Sequence, residues 1–306
     1  MTLGCAMATR SNWKDFWVRY ASVLLLLCLG GCAPVTDGVA NVVPPVATPQ
    51  KAMMTWDDLL SRPKPAPDAT VRYGTDALQV VDVWKPAGAG PHPAVVMIHG
   101  GCWQTAIAER DIMNWIAGDL RSRGVGVWNI EYRGVDRGGG YPGTYQDVAA
   151  AADLFAARGA EHGFRTGAPV VVIGHSAGGH LALWLARRPS TGSGRAELRV
   201  DLAISQGGLP DLRAQTNLPD HPCGADAAVK MAGGEFARTS PPEMPKGSAR
   251  ELQFNNDLDR IAPPSFGKAY RAEMATTPGE GHVELIAPDS VSWGKQRAVI
   301  LKAFGL

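Results

Sequence analysis

The chain has 306 residues, 45% of them hydrophobic and 19% charged, with a formal net charge of +1. That length can bury a full core, as one large domain or two. Near-neutral charge gives no electrostatic case for nucleic acid or an acidic partner. Seven scattered histidines, without CxxC or HExxH spacing, argue against a structural zinc site.

At the N-terminus, Arg10, Lys14 and Arg19 precede ASVLLLLCLGGCAP (21–34). Its apolar run of about ten residues is too short to persist as a membrane-spanning helix and predicts a signal peptide over 1–31. The ending Leu29-Gly30-Gly31-Cys32 resembles the bacterial lipobox, which implies lipidation of Cys32 and a membrane anchor. An ordinary cleaved signal with an incidental cysteine is the alternative. Residues 32–70, rich in Pro, Ala and Thr, predict an extended tether. Within them, MMTWDDLLSR (53–62) can form a short amphipathic turn that docks on the body. Export would leave Cys102 and Cys223 besides Cys32, and an oxidising compartment permits one disulfide without requiring it.

Over 71–306 the pattern alternates. Apolar runs ALQVVDVW, AVVMIHG, GVGVWNIEY, APVVVIGHS and DLAISQGG predict strands, the inner ones buried on both faces. The stretches AERDIMNWIAGDLRSRG, YQDVAAAADLFAARG and AGGHLALWLARR between them show helical spacing. The expected class is α/β, a mostly parallel sheet with helices on both faces.

Within VVVIGHSAGGHLALWLARR (170–188), four apolar residues run into Gly174-His175-Ser176-Ala177-Gly178 and then a helix. G-x-S-x-G alone is a weak signal, but strand before and helix after is the setting of a nucleophile elbow. The turn leaves no room for side chains at Gly174 and Gly178 and lifts Ser176 above the sheet edge. There the Ala177 N–H, at a helix N-terminus, can face a developing oxyanion.

These residues resemble the α/β-hydrolase family over roughly 75–304, and VVMIHGGCW (95–103) strengthens the likeness. The resemblance implies that the loop after that strand supplies the other oxyanion donors, at Gly101 and Cys102, and that His99 shapes the loop. The HGG-aromatic variant, with EYRGVDRGGGYPGTYQDV following, looks like the kynurenine-formamidase-like and related bacterial esterase branch.

A serine hydroxyl needs a base, and the base a third group to orient it. The family order of Ser, acid, His places the base at His282 in PGEGHVELIAP, the only histidine after His221. His175 and His180 read as loop or packing residues, His162 and His221 as surface positions. For the acid, ELQFNNDLDRIAPP lines up Asp259 with the family pattern, although Asn255 and Asn256 stand where His and Gly are usual. Asp257 and Asp211 are rivals.

Only 22 residues separate Asp259 from His282, and the helical stretch SFGKAYRAEMA takes half of them. The sheet is therefore expected to lack a C-terminal edge strand, with the acid and base loops loosely held, and a poorly positioned triad costs orders of magnitude in rate. The segment MAGGEFARTSPPEMP also looks shorter than the usual cap. The expected activity is acyl transfer through Ser176 on a small-molecule or saccharide ester, without metal or cofactor. Trp103, and also Trp184 or Trp293, are candidate pocket walls, with core packing the better reading for Trp184. An arylformamidase-type amidase and a catalytically weak binding lipoprotein remain as alternatives.

Overall fold

Five-residue strands whose side chains are buried throughout form the centre of the sheet, as expected where both faces are covered. A computed structural model describes residues 52–167, 169–192, 196–218 and 221–306. In chain order the regular elements are α1 (Trp56–Leu60), β1 (Ala69–Arg72), β2 (Val80–Trp84), β3 (Ala94–Ile98), α2 (Asn114–Ser122) and β4 (Gly126–Ile130). There follow α3 (Gly143–Arg158), β5 (Val171–His175), α4 (Ala177–Arg187), β6 (Leu202–Gln206), α5 (Leu212–Thr216), α6 (Ala225–Ala232) and α7 (Phe236–Thr239). The chain ends with β7 (Arg250–Phe254), α8 (Pro264–Tyr270), β8 (Glu273–Ala275) and α9 (Val291–Phe304).

The sheet order is β1-β2-β4-β3-β5-β6-β7-β8. β2 runs antiparallel to both neighbours and all other pairings are parallel. Successive side chains leave a strand on opposite faces, so Val96 and Ile98 enter one core while Val95 and Met97 enter the other. The first core packs Val148 and Phe155 of α3, Leu181 of α4 and Ala228 of α6. The second packs Ile116 and Leu120 of α2 against Trp293 and Ile300 of α9. The carboxyl ends of the parallel strands thus deliver their loops to one edge, where binding sites form in open α/β sheets.

Two expectations are corrected. The C-terminal edge strand is present, as β8, in register with Leu252–Phe254 of β7. Arg271 caps α8 in the left-handed conformation, at φ 60°, which stops the helix and turns Glu-Met-Ala into a strand. Three residues are too few to show strand periodicity in the sequence.

The body also begins before residue 71. Within the stretch expected to be tether, the segment 53–62 docks as anticipated: a Thr55–Asp58 capping box starts α1 and Leu59 is fully buried. Beyond the helix, Trp115 Nε1 and Asn114 Nδ2 donate to the carbonyls of Pro63 and Pro65. The signal peptide over 1–31 and Cys32 lie outside the described residues. Among the described residues no helix is long and apolar enough to cross a membrane.

Candidate active site

Ser176 stands between β5 and α4 with φ 54° and ψ −118°, a backbone conformation that side chains with a Cβ rarely adopt. The two glycines explain how the chain tolerates it. A Cβ on Gly174 would sit 2.0 Å from the Gly178 carbonyl oxygen, and one on Gly178 would sit 2.2 Å from that of Ile98. The Ser176 N–H donates to the Gln206 carbonyl at 2.7 Å, tying the turn to β6. Its hydroxyl does not cap α4.

The loop after β3 abuts this elbow, since a Cβ on Gly100 would lie 3.0 Å from Ser176 Cβ. Gly101, Cys102 and Trp103 all have positive φ, 99°, 56° and 55°. Among the described residues, the N–H groups of Gly101, Cys102 and Ala177 have no acceptor, which is the condition for three donors kept for a ligand oxygen. His99 braces the loop as expected. Its Nε2 lies 2.7 Å from Glu131 Oε1, its ring stacks on Tyr132, and the Tyr132 hydroxyl donates to the His99 carbonyl. Glu131 also accepts the Arg110 N–H; burial pushes this carboxyl up, but His99 and the backbone donors outweigh burial and hold it below its ordinary value. Cys102 is joined to Cys223 by a disulfide.

On the opposite side, His282 Nδ1 donates to Asp259 Oδ2 at 2.7 Å, with both side chains almost fully buried. The other Asp259 oxygen accepts the N–H groups of Ile261 and Ala262, each at 2.8 Å. Burial raises the Asp259 pKa, yet His282 and these donors prevail and hold it below the ordinary 3.8. His282 belongs beside Ser176, because the Nε2 of His175, the preceding residue, donates to the His282 carbonyl at 3.1 Å and the two rings lie 4.4 Å apart. His175 is kept neutral first by burial and then by His282. With Nδ1 committed to Asp259, His282 Nε2 has no partner among the described residues.

The acid and base loops are firmly held, contrary to expectation. Asn256 Nδ2 donates to the Gly281 carbonyl and its Oδ1 accepts the Ser292 hydroxyl, so one side chain joins the acid loop, the base loop and α9. Asn255 Nδ2 closes the acid loop on the Ala262 carbonyl. Glu284 accepts the N–H groups of Gly281 and Met54, Glu280 caps the start of α9 through Val291 and Ser292, and Gln206 reaches the Leu285 carbonyl. Trp56 of α1 sets its indole edge-on to the rings of His175 and His282, 6.1 and 6.4 Å away. None of these side-chain roles was assigned from sequence; the signals were the odd Asn-Asn before the acid and the 53–62 segment expected to dock on the body.

The rivals are occupied elsewhere: Asp211 caps α5 through the Ala214 N–H, and Asp257 accepts the Gly279 N–H. Three other expectations change. Trp103 is fully buried and edge-on to His180, so it lies under the loop and offers no open pocket wall. Trp293 is also fully buried, donating to Asp119. His221 is buried beside Cys223, whose N–H it accepts. Trp184 lies in the core, its Nε1 on the Arg238 carbonyl. Among the described residues no cluster of three His, Cys, Asp or Glu is placed to hold a metal.

A family model, BD-FAE, matches residues 81–223, the stretch from β2 through the elbow to Cys223. Comparison with curated proteins gives no match. Among solved structures, a truncated carbohydrate esterase from gut microbiota superposes with TM-score 0.63 at 18% identity, covering 80% of this chain and 100% of that one. Esterase 2 of Thermogutta terrifontis, phosphonylated by sarin, gives TM-score 0.66 at 19% identity, with 79% and 95% covered. Esterase B from Lactobacillus Rhamnosis gives 0.63 at 19%, with 81% and 88% covered. With this sheet order, the likenesses establish that the chain has the α/β-hydrolase fold.

Proposed function

We propose that this protein is a serine hydrolase of carboxylic esters. The observation that carries the reading is the buried Asp259–His282 pair packed beside a Ser176 elbow, with three unpaired N–H groups around it. In this reading His282 Nε2 takes the Ser176 proton as the oxygen attacks the ester carbonyl. The N–H groups of Gly101, Cys102 and Ala177 receive the tetrahedral oxyanion, and His282 then returns the proton to the departing alcohol. Water, activated by the same imidazole, releases the acyl group. Asp259 stays ionised, holding the His282 tautomer and stabilising its cation.

Ser176 is only 3% exposed and His282 8%. So narrow an approach favours short acyl groups. The matched solved structures are esterases, one a carbohydrate esterase, which supports a small-molecule or saccharide ester as substrate. The leader pattern ending at Cys32 supports an exported protein held at a membrane by a lipid. Turnover of p-nitrophenyl acetate, butyrate and octanoate, set against N-formylkynurenine, tests the reading. We expect kcat/KM to be highest for acetate and to fall with chain length. Preference for N-formylkynurenine would move the protein to the amidase class.

A further inference from the structure

We infer that the Cys102–Cys223 disulfide is a positioning element of the oxyanion loop, which makes ester turnover depend on this bridge as well as on the triad. The inference rests on the serine-hydrolase reading, in which the Cys102 N–H is a donor. Cys102 and Trp103 are consecutive non-glycine residues at φ 56° and 55°. Such conformations persist only where the surroundings over-determine them.

The exit of the loop is well anchored. Val135 N–H donates to the Trp103 carbonyl at 2.7 Å, and the Asp136 carboxylate accepts the N–H groups of Thr105 and Ala106, each at 2.9 Å. At Cys102 itself the side-chain tether is the bridge. The far anchor is buried and hydrogen-bonded. Cys223 is 5% exposed, its N–H donates to His221 Nδ1 at 2.9 Å, and its carbonyl accepts Gln104 Nε2 at 3.0 Å. Gly224 alone separates it from α6, whose Ala228 and Met231 are buried in the core and whose Met231 carbonyl accepts the Tyr145 hydroxyl at 3.0 Å. A donor residue is thus fixed covalently to a packed segment 121 positions away in the chain.

Oxyanion stabilisation depends on donors aimed before the reaction begins, and losing one donor outright lowers kcat by about 10²–10³. Loosening one should cost less. The test compares oxidised protein with protein reduced by excess dithiothreitol, which passes two electrons and two protons to the sulfurs and is left as its cyclic disulfide. Cys223→Ser is run beside it. With Cys102 and Cys223 confirmed as free thiols by alkylation and mass mapping, we expect kcat on p-nitrophenyl acetate to fall roughly 10- to 100-fold. KM should stay within about twofold and the pH profile of kcat should keep its midpoint, because Asp259 and His282 are untouched, and reoxidation should restore the rate. Amide hydrogen exchange over 100–108 should accelerate in parallel.

Unchanged kcat, or unchanged exchange in that loop, with both thiols free would overturn the inference. So would global unfolding on reduction, which would make the bridge a plain stabiliser. Should Cys223→Ser fail to fold, the reduced wild type carries the test. If oxidised protein neither turns over esters nor reacts at Ser176, the serine-hydrolase reading fails, and the exchange arm still decides whether the bridge holds the loop.

Discussion

On one side of the site Ser176 is fixed by backbone contact, where Gly174 and Gly178 let β5, α4 and the Ile98 carbonyl approach more closely than any Cβ permits. On the other side His282 is fixed by side chains reaching across the sequence: Asp259 to its ring, Asn256 to the Gly281 carbonyl, and Glu284 to the Gly281 N–H. The contrast teaches that a nucleophile can be specified within five residues, whereas its base must be assembled from distant ones. Damage to the two sides should therefore look different.

The sharpest break is Gly178→Ala. Its methyl would lie 2.2 Å from the Ile98 carbonyl oxygen and 2.4 Å from that of His99, both backbone atoms that cannot swing aside. We expect destabilisation of more than about 4 kcal/mol, or no folded protein, read by thermal melting. Asp259→Asn should instead leave a folded protein and lower kcat by roughly 10⁴, because the imidazole loses its orienting anion. If Asp259→Asn kept its rate, Asp257 would have to be reconsidered. Between these, Asn256→Ala removes one brace of the base loop without touching the triad. We expect roughly 10- to 100-fold in kcat and about 1–3 kcal/mol in stability from the buried Gly281 carbonyl left unpaired. A stability loss with kcat unchanged would show that Asn256 holds the fold but not the base.

This division also explains what the sequence could and could not disclose. The elbow, the His-Gly-Gly loop and the central strands were legible because each is a local pattern whose period or sterics is written in consecutive residues. Asp259 came from a family resemblance in ELQFNNDLDRIAPP and His282 from the family order of Ser, acid, His, and the structure brings the two together. The short helix over 53–62 was legible as a docking segment, but the three-residue β8 and the network through Asn256, Glu280 and Glu284 were not, since their partners are set by tertiary proximity. Trp103 misled because a motif gives a position in the chain and not the direction of a side chain.

A smaller effect follows from histidines buried near the elbow. Burial lowers the His180 pKa from 6.5 to about 4, only partly offset by its hydrogen bond to the Thr239 carbonyl. The unfolded chain thus takes up a proton that the folded chain refuses. Stability is full above about pH 6.5 and declines as pH falls toward about 4, by about 3 kcal/mol from this residue. His175, lowered for the same first reason, acts in the same direction. Urea midpoints at pH 7 and pH 4.5 should differ in the wild type, and the gap should narrow without closing in a folded His180→Gln variant, because His175 remains; an equal gap in both would assign the acid sensitivity elsewhere.

The central claim is that Ser176 is a nucleophile activated by His282, and covalent capture tests it most directly. Intact-mass measurement after brief exposure to a fluorophosphonate should show one adduct on the wild type, mapped to Ser176. Ser176→Ala should give none, and His282→Gln should react at least about 10³-fold more slowly. A folded wild type that stays unlabelled, or one labelled as fast without His282, would contradict the account.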